Sequence, residues 1–241
     1  YNDIYVSNGI YRDLTNQDFI DFFANTMIQE MVLSGKKDEI SSIIQKMSSQ
    51  PIPNKMFRNN GDLTFNDMGK DWGLDIPSFS NGAAYGDLDN DGDLDLVVNN
   101  VNMESFVYRN NSEKNNANHF VKVKLKGNKQ NTFAVGSVVE LYSGKEIIRQ
   151  ELIPSRGFQS SIDYVMTFGL GNKKIDSLQV IWPNGKSKTI KKVALNTTIN
   201  LSMADATSDY VFKTTHVKPM FKEVKSNFLA HKENDYIDFD Y

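Results

Sequence analysis

Asp87-Leu88-Asp89-Asn90-Asp91-Gly92-Asp93-Leu94-Asp95 places an aspartate at every second position across one short stretch. Apolar segments flank it, Ala83-Ala84-Tyr85 on one side and Leu94 to Val98 on the other. A tight loop in which alternate residues point inward offers a dense set of oxygen ligands. Ca²⁺ is a hard cation that takes six to eight oxygens at roughly 2.3–2.6 Å. The spacing predicts side-chain ligands from Asp87, Asp89 and Asp91, a backbone carbonyl from Asp93, and closure by Asp95. Gly92 stands where the chain must turn sharply, and glycine tolerates such a turn without steric cost. Zn²⁺ fits less well, because no His or Cys is near. Mg²⁺ tends to keep its waters rather than enter an all-protein cage. An EF-hand needs Glu at the twelfth loop position, where Val98 stands. The segment after the loop is strand-like, so this is a turn between strands in a β-rich protein.

Outward from the loop, the residues repeat. Met56-Phe57-Arg58-Asn59-Asn60 echoes Val107-Tyr108-Arg109-Asn110-Asn111, and Asp3-Ile4-Tyr5-Val6-Ser7-Asn8 echoes Asp95-Leu96-Val97-Val98-Asn99-Asn100. A period of about fifty residues suits one β-propeller blade. Asp3 then corresponds to the last residue of an earlier loop. Between the echoes lies a helical stretch. Thr15 is the expected N-cap, with Ile20, Phe23, Met27 and Met31 at helical spacing. Ser34-Gly35 breaks it. Ile40, Ile43, Ile44 and Met47 then mark a second helix that Pro51 and Pro53 end. Its expected role is to pack an apolar face on the β-domains. After the loop, Val121, Val123 and Leu125 alternate with Lys122, Lys124 and Lys126. Leu178, Val180 and Trp182 show the same pattern, as do Ile199, Leu201 and Met203. Period-two alternation predicts strands with one buried face and one solvated face. The fold class expected is mainly β with a helical-hairpin insertion. It combines partial propeller-like blades with an antiparallel β-sandwich or partly open barrel.

The bulk numbers agree with a folded chain. It has 241 residues, 39% hydrophobic and 24% charged, with net charge −3. That balance argues against a broad nucleic-acid footprint. No run approaches the ~18 apolar residues of a membrane span. With no cysteine, disulfides and thiolate chemistry are excluded. The chain begins at Tyr1 and reads as a piece of a longer protein, with any export signal outside it.

Asn81 to Asn99, with its Asp-rich centre, resembles an FG-GAP/VCBS repeat, and Phe57 to Phe65 resembles the turn of that repeat. The resemblance implies a β-propeller blade with calcium held by Asp87, Asp89, Asp91, Asp93 and Asp95. Ala134 to Tyr142, Pro154 to Ser161, Phe168-Gly169-Leu170-Gly171 and Ile175 to Gly185 resemble the ASPIC/UnbV domain. The pairing is similar to large extracellular and bacterial surface proteins. It implies the end of a preceding repeat at 1–14, a helical hairpin at 15–55 and a calcium-binding repeat at 56–112. An ASPIC/UnbV β-domain at 119–203 and a linker at 204–241 follow, with His231 to Asp238 as the lead-in to a further repeat. The function expected is a non-enzymatic, calcium-stabilised binding or scaffold module at the cell surface or outside it, with a protein or glycan ligand. No nucleic-acid partner and no direct membrane insertion are expected. The alternative is an auxiliary region of a secreted enzyme acting on polysaccharide.

Ser155, Arg156 and Gln159, with Ser160 and Ser161, form a polar cluster between strands. Arg156 could hold a carboxylate or sulfate by two parallel hydrogen bonds. The plainer reading is a loop fixed by its own side-chain to backbone bonds. His119, His216 and His231 lack the spacing of a metal pair or triad, and no serine sits in a G-x-S-x-G setting. No catalytic residues are assigned.

Overall fold

The computed structural model describes residues 2–9, 11–13, 16–21, 25–35, 44–114, 118–211 and 218–224. The chain forms two compact units, Tyr1–Tyr210 and Val211–Tyr241. The second has neither helix nor strand among its described residues, and the expected lead-in at His231 to Asp238 lies outside them. The first unit holds all the strands and helices among the described residues.

Its strands run β1 (Ile4–Val6), β2 (Ile52–Pro53), β3 (Lys55–Asn59), β4 (Phe65–Asp67), β5 (Pro77–Ser78), β6 (Ser80–Gly86), β7 (Asp95–Asn100) and β8 (Phe106–Tyr108). They continue as β9 (His119–Lys126), β10 (Val138–Ser143), β11 (Glu146–Glu151), β12 (Val165–Gly171), β13 (Ser177–Ile181), β14 (Lys186–Lys191), β15 (Thr197–Ser202) and β16 (Ser208–Asp209). Between β1 and β2 lie the helices α1 (Gln17–Phe19) and α2 (Asn25–Ser34). Asn16 caps α1, its side chain accepting from the Phe19 N–H. The expected cap, Thr15, lies outside the described residues. Gly35 follows α2 at φ +68°, the left-handed conformation that ends helices. The side chains of Phe23, Met27 and Met31, assigned to a packing face, also lie outside the described residues.

The fifty-residue echo is a structural repeat. β1 pairs with β3 through Ile4↔Phe57, and β7 pairs with β8 through Leu96↔Tyr108, the same register in each. Asp3 Oδ1 accepts from the Asn59 N–H at 2.9 Å, and Asp95 Oδ1 accepts from the Asn110 N–H at 2.8 Å. Asp3 is therefore the counterpart of Asp95. The two copies form the sheets β1-β3-β4 and β6-β7-β8. A buried polar network joins them. Asn54 Nδ2 donates to Ser80 Oγ at 2.7 Å, Ser80 Oγ donates to Asn100 Oδ1 at 2.7 Å, and Asn8 Oδ1 accepts from the Ser80 N–H. Buried polar groups need partners, and these supply one another.

The second half is two sheets about one core. The order β11-β10-β13-β14-β16 faces β12-β9-β15. All these pairings are antiparallel except β15 with β9, which is parallel. Val121, Val123, Val139, Leu141, Phe168, Leu178, Val180 and Trp182 fill the space between, each at most 2% exposed. Each such side chain contributes about 1.5–3 kcal/mol through burial. Met203, expected in a strand, lies in a one-turn 3₁₀ helix after β15 and still packs on this core. Among the described residues the sheets form no closed barrel, and no helix is long and apolar enough to cross a membrane.

Candidate metal centre

The Asp-rich segment is the connection of the β6–β7 hairpin, whose last pair is Gly86↔Asp95. Hydrogen bonds back to its own backbone fold it. Asp87 Oδ2 accepts from the Gly92 N–H at 3.0 Å, and Asp91 Oδ1 accepts from the Asp93 N–H at 3.2 Å. Asn90 at φ +65° and Gly92 at φ +99° make the bend. Asp87, Asp89 and Asp91 each bring a carboxylate oxygen within 4.8 Å of the others. Oxygens on opposite sides of one Ca²⁺ stand about 4.6–5.2 Å apart, twice the usual bond length. The three oxygens are close enough to one another to ligate a single ion of that size.

The five aspartates are not equivalent. Asp95 is 3% exposed, and both its oxygens accept backbone hydrogen bonds, from Leu88 at 2.9 Å and Asn110 at 2.8 Å. It ties the base of the hairpin to β8. Asp93 Oδ2 accepts from Ser112 Oγ at 2.9 Å. Arg109 Nε lies 2.8 Å from Asp89 Oδ2, and its Nη2 lies 3.3 Å from Asp91 Oδ2. Burial pushes the Asp91 carboxyl upward, but hydrogen bonds from the Asp93 backbone and the Arg109 side chain outweigh it and hold the group below the ordinary aspartate value. Asp87 is the most enclosed of the cluster, with its side chain 3% exposed. Its Oδ1 is buried without a hydrogen-bond partner. A buried carboxylate oxygen left unsatisfied is costly, and Asp87, Asp89 and Asp91 are the residues that could hold a cation here.

The loop does not face open solvent. It docks on β9 of the sandwich. Lys122 Nζ donates to Asp87 Oδ2 at 2.6 Å and to Asn90 Oδ1 at 3.2 Å. Gly92 sits so close to Phe120 that a Cβ there would fall 2.1 Å from two ring carbons. The alternation that put Lys122 on a solvated face is thus corrected. Lys124 and Lys126 are exposed, whereas Lys122 is only 7% exposed. Periodicity names the face of a strand and cannot name what covers it. Arg109 and Ser112 are also absent from the sequence-derived set; Arg109 carried one signal, the Arg-Asn-Asn echo of Arg58-Asn59-Asn60, and Ser112, opposite Gly61 in that echo, carried none.

The polar cluster is a separate feature. Ser155 and Ser161 form an isolated bridge, the Arg156 N–H donates to the Ser160 carbonyl at 3.1 Å, and Ser160 Oγ donates to the Phe158 carbonyl at 2.7 Å. These bonds close the loop on itself and leave Ser155, Arg156 and Gln159 exposed. The loop lies over β6, where a Cβ on Gly82 would come within 3.0 Å of Ser160 Oγ.

Comparison with known proteins finds two matched segments in the chain. A model of the FG-GAP-like repeat matches residues 35–98, which include the Asp-rich loop. A model described as ASPIC and UnbV matches residues 127–208, which hold the sandwich strands from β10 onward. Among curated proteins the chain is similar to cartilage acidic protein 1 of Homo sapiens, 27% identical over 202 residues, or 81% of this chain and 28% of that protein. The protein of the same name from Xenopus tropicalis is 26% identical over 176 residues, 70% of this chain and 27% of that one. The Mus musculus protein is 26% identical over 202 residues. The chain thus spans little more than a quarter of the length of the curated relatives it matches.

Proposed function

We propose that this chain, which carries an FG-GAP-like repeat followed by an ASPIC/UnbV domain, is a calcium-stabilised, non-enzymatic binding module that works outside the cell. The observation that carries the calcium reading is the buried, unpartnered Oδ1 of Asp87 inside a cluster of three carboxylates. Asp87, Asp89 and Asp91 would hold the ion. When bound, it supplies the positive charge that Lys122 and Arg109 provide only in part. Asp95 and Gly92 shape the loop, and Phe120 and Lys122 brace it from β9. The metal thus stiffens a bend at the junction of two β-domains, and the surfaces on either side are left to make contacts with a protein or glycan ligand. The exposed Ser155, Arg156 and Gln159 belong to one such surface.

Calcium titration by calorimetry, with melting curves in chelator and in excess Ca²⁺, tests the metal. A ligand at 100 times its Kd stabilises the folded state by about 2.7 kcal/mol. For a chain of this size that raises Tm by roughly 5–11 °C. Superimposed melts, with no heat of binding at millimolar Ca²⁺, sink the calcium reading.

A further inference from the structure

Lys122 lies outside both family-matched spans, 35–98 and 127–208. It is nonetheless a sandwich residue whose charge reaches into the loop. Its side chain is 9% exposed, that of Asp87 is 3% exposed, and their charged atoms are 2.6 Å apart. The ammonium also donates to Asn90 Oδ1 at 3.2 Å, inside the bend itself. An ion pair this enclosed is little screened by salt. We propose that Lys122 is an internal cation that sets the calcium affinity of the loop, sharing the Asp87 carboxylate with the metal. This rests on the calcium reading above. Asp87 Oδ2 is held by Lys122 and the Gly92 N–H, while Oδ1 has no hydrogen-bond partner. The carboxylate therefore has one oxygen committed to the lysine and one left for a second cation.

Two consequences follow from Coulomb's law. A buried positive charge beside a dication lowers the affinity for that dication. The same charge keeps the loop docked on β9 when the ion is lost, because it continues to neutralise Asp87. Lys122 thus lowers affinity while protecting the domain junction in low calcium. A loop without it binds more tightly and depends on the ion for its docking.

The test compares the wild-type chain with Lys122→Met and Lys122→Gln, the second retaining a polar reach toward Asp87 and Asn90 without the charge. Calcium affinity is measured by calorimetry, and Tm is measured in chelator and in excess Ca²⁺. Both variants should bind Ca²⁺ at least about tenfold more tightly, as removal of a like charge demands. Their Tm should also rise more on adding calcium than that of the wild type. Variants that fold only with calcium present support the proposal equally. Binding by the variants but not by the wild type overturns both the proposal and the calcium reading of the native chain, because the lysine then replaces the ion instead of sharing Asp87 with it. Equal or weaker affinity in both variants overturns the proposal and leaves that reading intact. Absence of binding in all three chains overturns both. Failure of both variants to fold even in excess calcium makes Lys122 a purely structural pair and also overturns the proposal.

Discussion

Gly92→Ala tests whether the acidic loop is seated on the sandwich. A Cβ at this position would lie 2.1 Å from both Cδ1 and Cε1 of Phe120 and 2.5 Å from Cγ. The backbone φ of +99° adds strain for any residue with a side chain. The conformational part costs about 1–3 kcal/mol, and forcing a methyl into an occupied space adds about 1–3 kcal/mol. A smaller unfolded chain entropy returns about 0.4–1 kcal/mol. The net loss is about 2–5 kcal/mol, or roughly 4–20 °C in Tm for a chain of this length. Gly185→Ala is the control. It has φ +76° with nothing within 4 Å of the added Cβ, so it carries the conformational part alone. Denaturant melts of Gly92→Ala, Gly185→Ala, Phe120→Ala and the Gly92→Ala/Phe120→Ala double variant form the assay. Removing the ring should shrink the cost of Gly92→Ala to about that of Gly185→Ala, a coupling of about 1–3 kcal/mol within the range for residues in contact. If Gly92→Ala costs no more than Gly185→Ala, or costs as much without the ring as with it, the loop does not rest on β9.

Asp95→Asn places an amide where two backbone N–H groups, those of Leu88 and Asn110, now donate to carboxylate oxygens. It should lose about 1.5–3 kcal/mol, the worth of hydrogen bonds to a charged group. Denaturant melts should show the loss in chelator as well as in calcium. A loss confined to calcium-loaded samples would instead mark Asp95 as a ligand. The Tyr142 hydroxyl donates to Glu140 Oε2 at 2.5 Å. That bond, then burial, then the Glu140 charge push its pKa from 10.0 up to about 12. A raised folded-state value means this stabilisation is complete below pH 10 and is lost as pH rises from 10 to 12. Tyr142→Phe should flatten that part of the stability profile in pH-dependent melts, and an unchanged alkaline slope would refute the link.

The strands were legible because alternation is a local property. A strand that buries one face must put an apolar residue at every second position, so Val121, Val123 and Leu125 announced β9 without any knowledge of its neighbours. The repeat was legible for a similar reason. Asp3 and Asp95 accept the same backbone N–H in two copies, and a shared bond leaves a shared residue. The acidic loop showed itself through spacing alone. Sequence could not distinguish the surroundings of its aspartates, because the two N–H groups that donate to Asp95 are brought to it by the hairpin and the end of β8. Nor could it show that β15 lies parallel to β9, which is a matter of which chain segment returns to which edge. Lys122 marks the boundary most clearly. Its place in β9 is written in the residues around it. Its burial against Asp87 comes from a loop over thirty positions earlier in the chain. Local pattern dictates which way a side chain points, and only the packing of one domain on another decides whether it meets water or a carboxylate there.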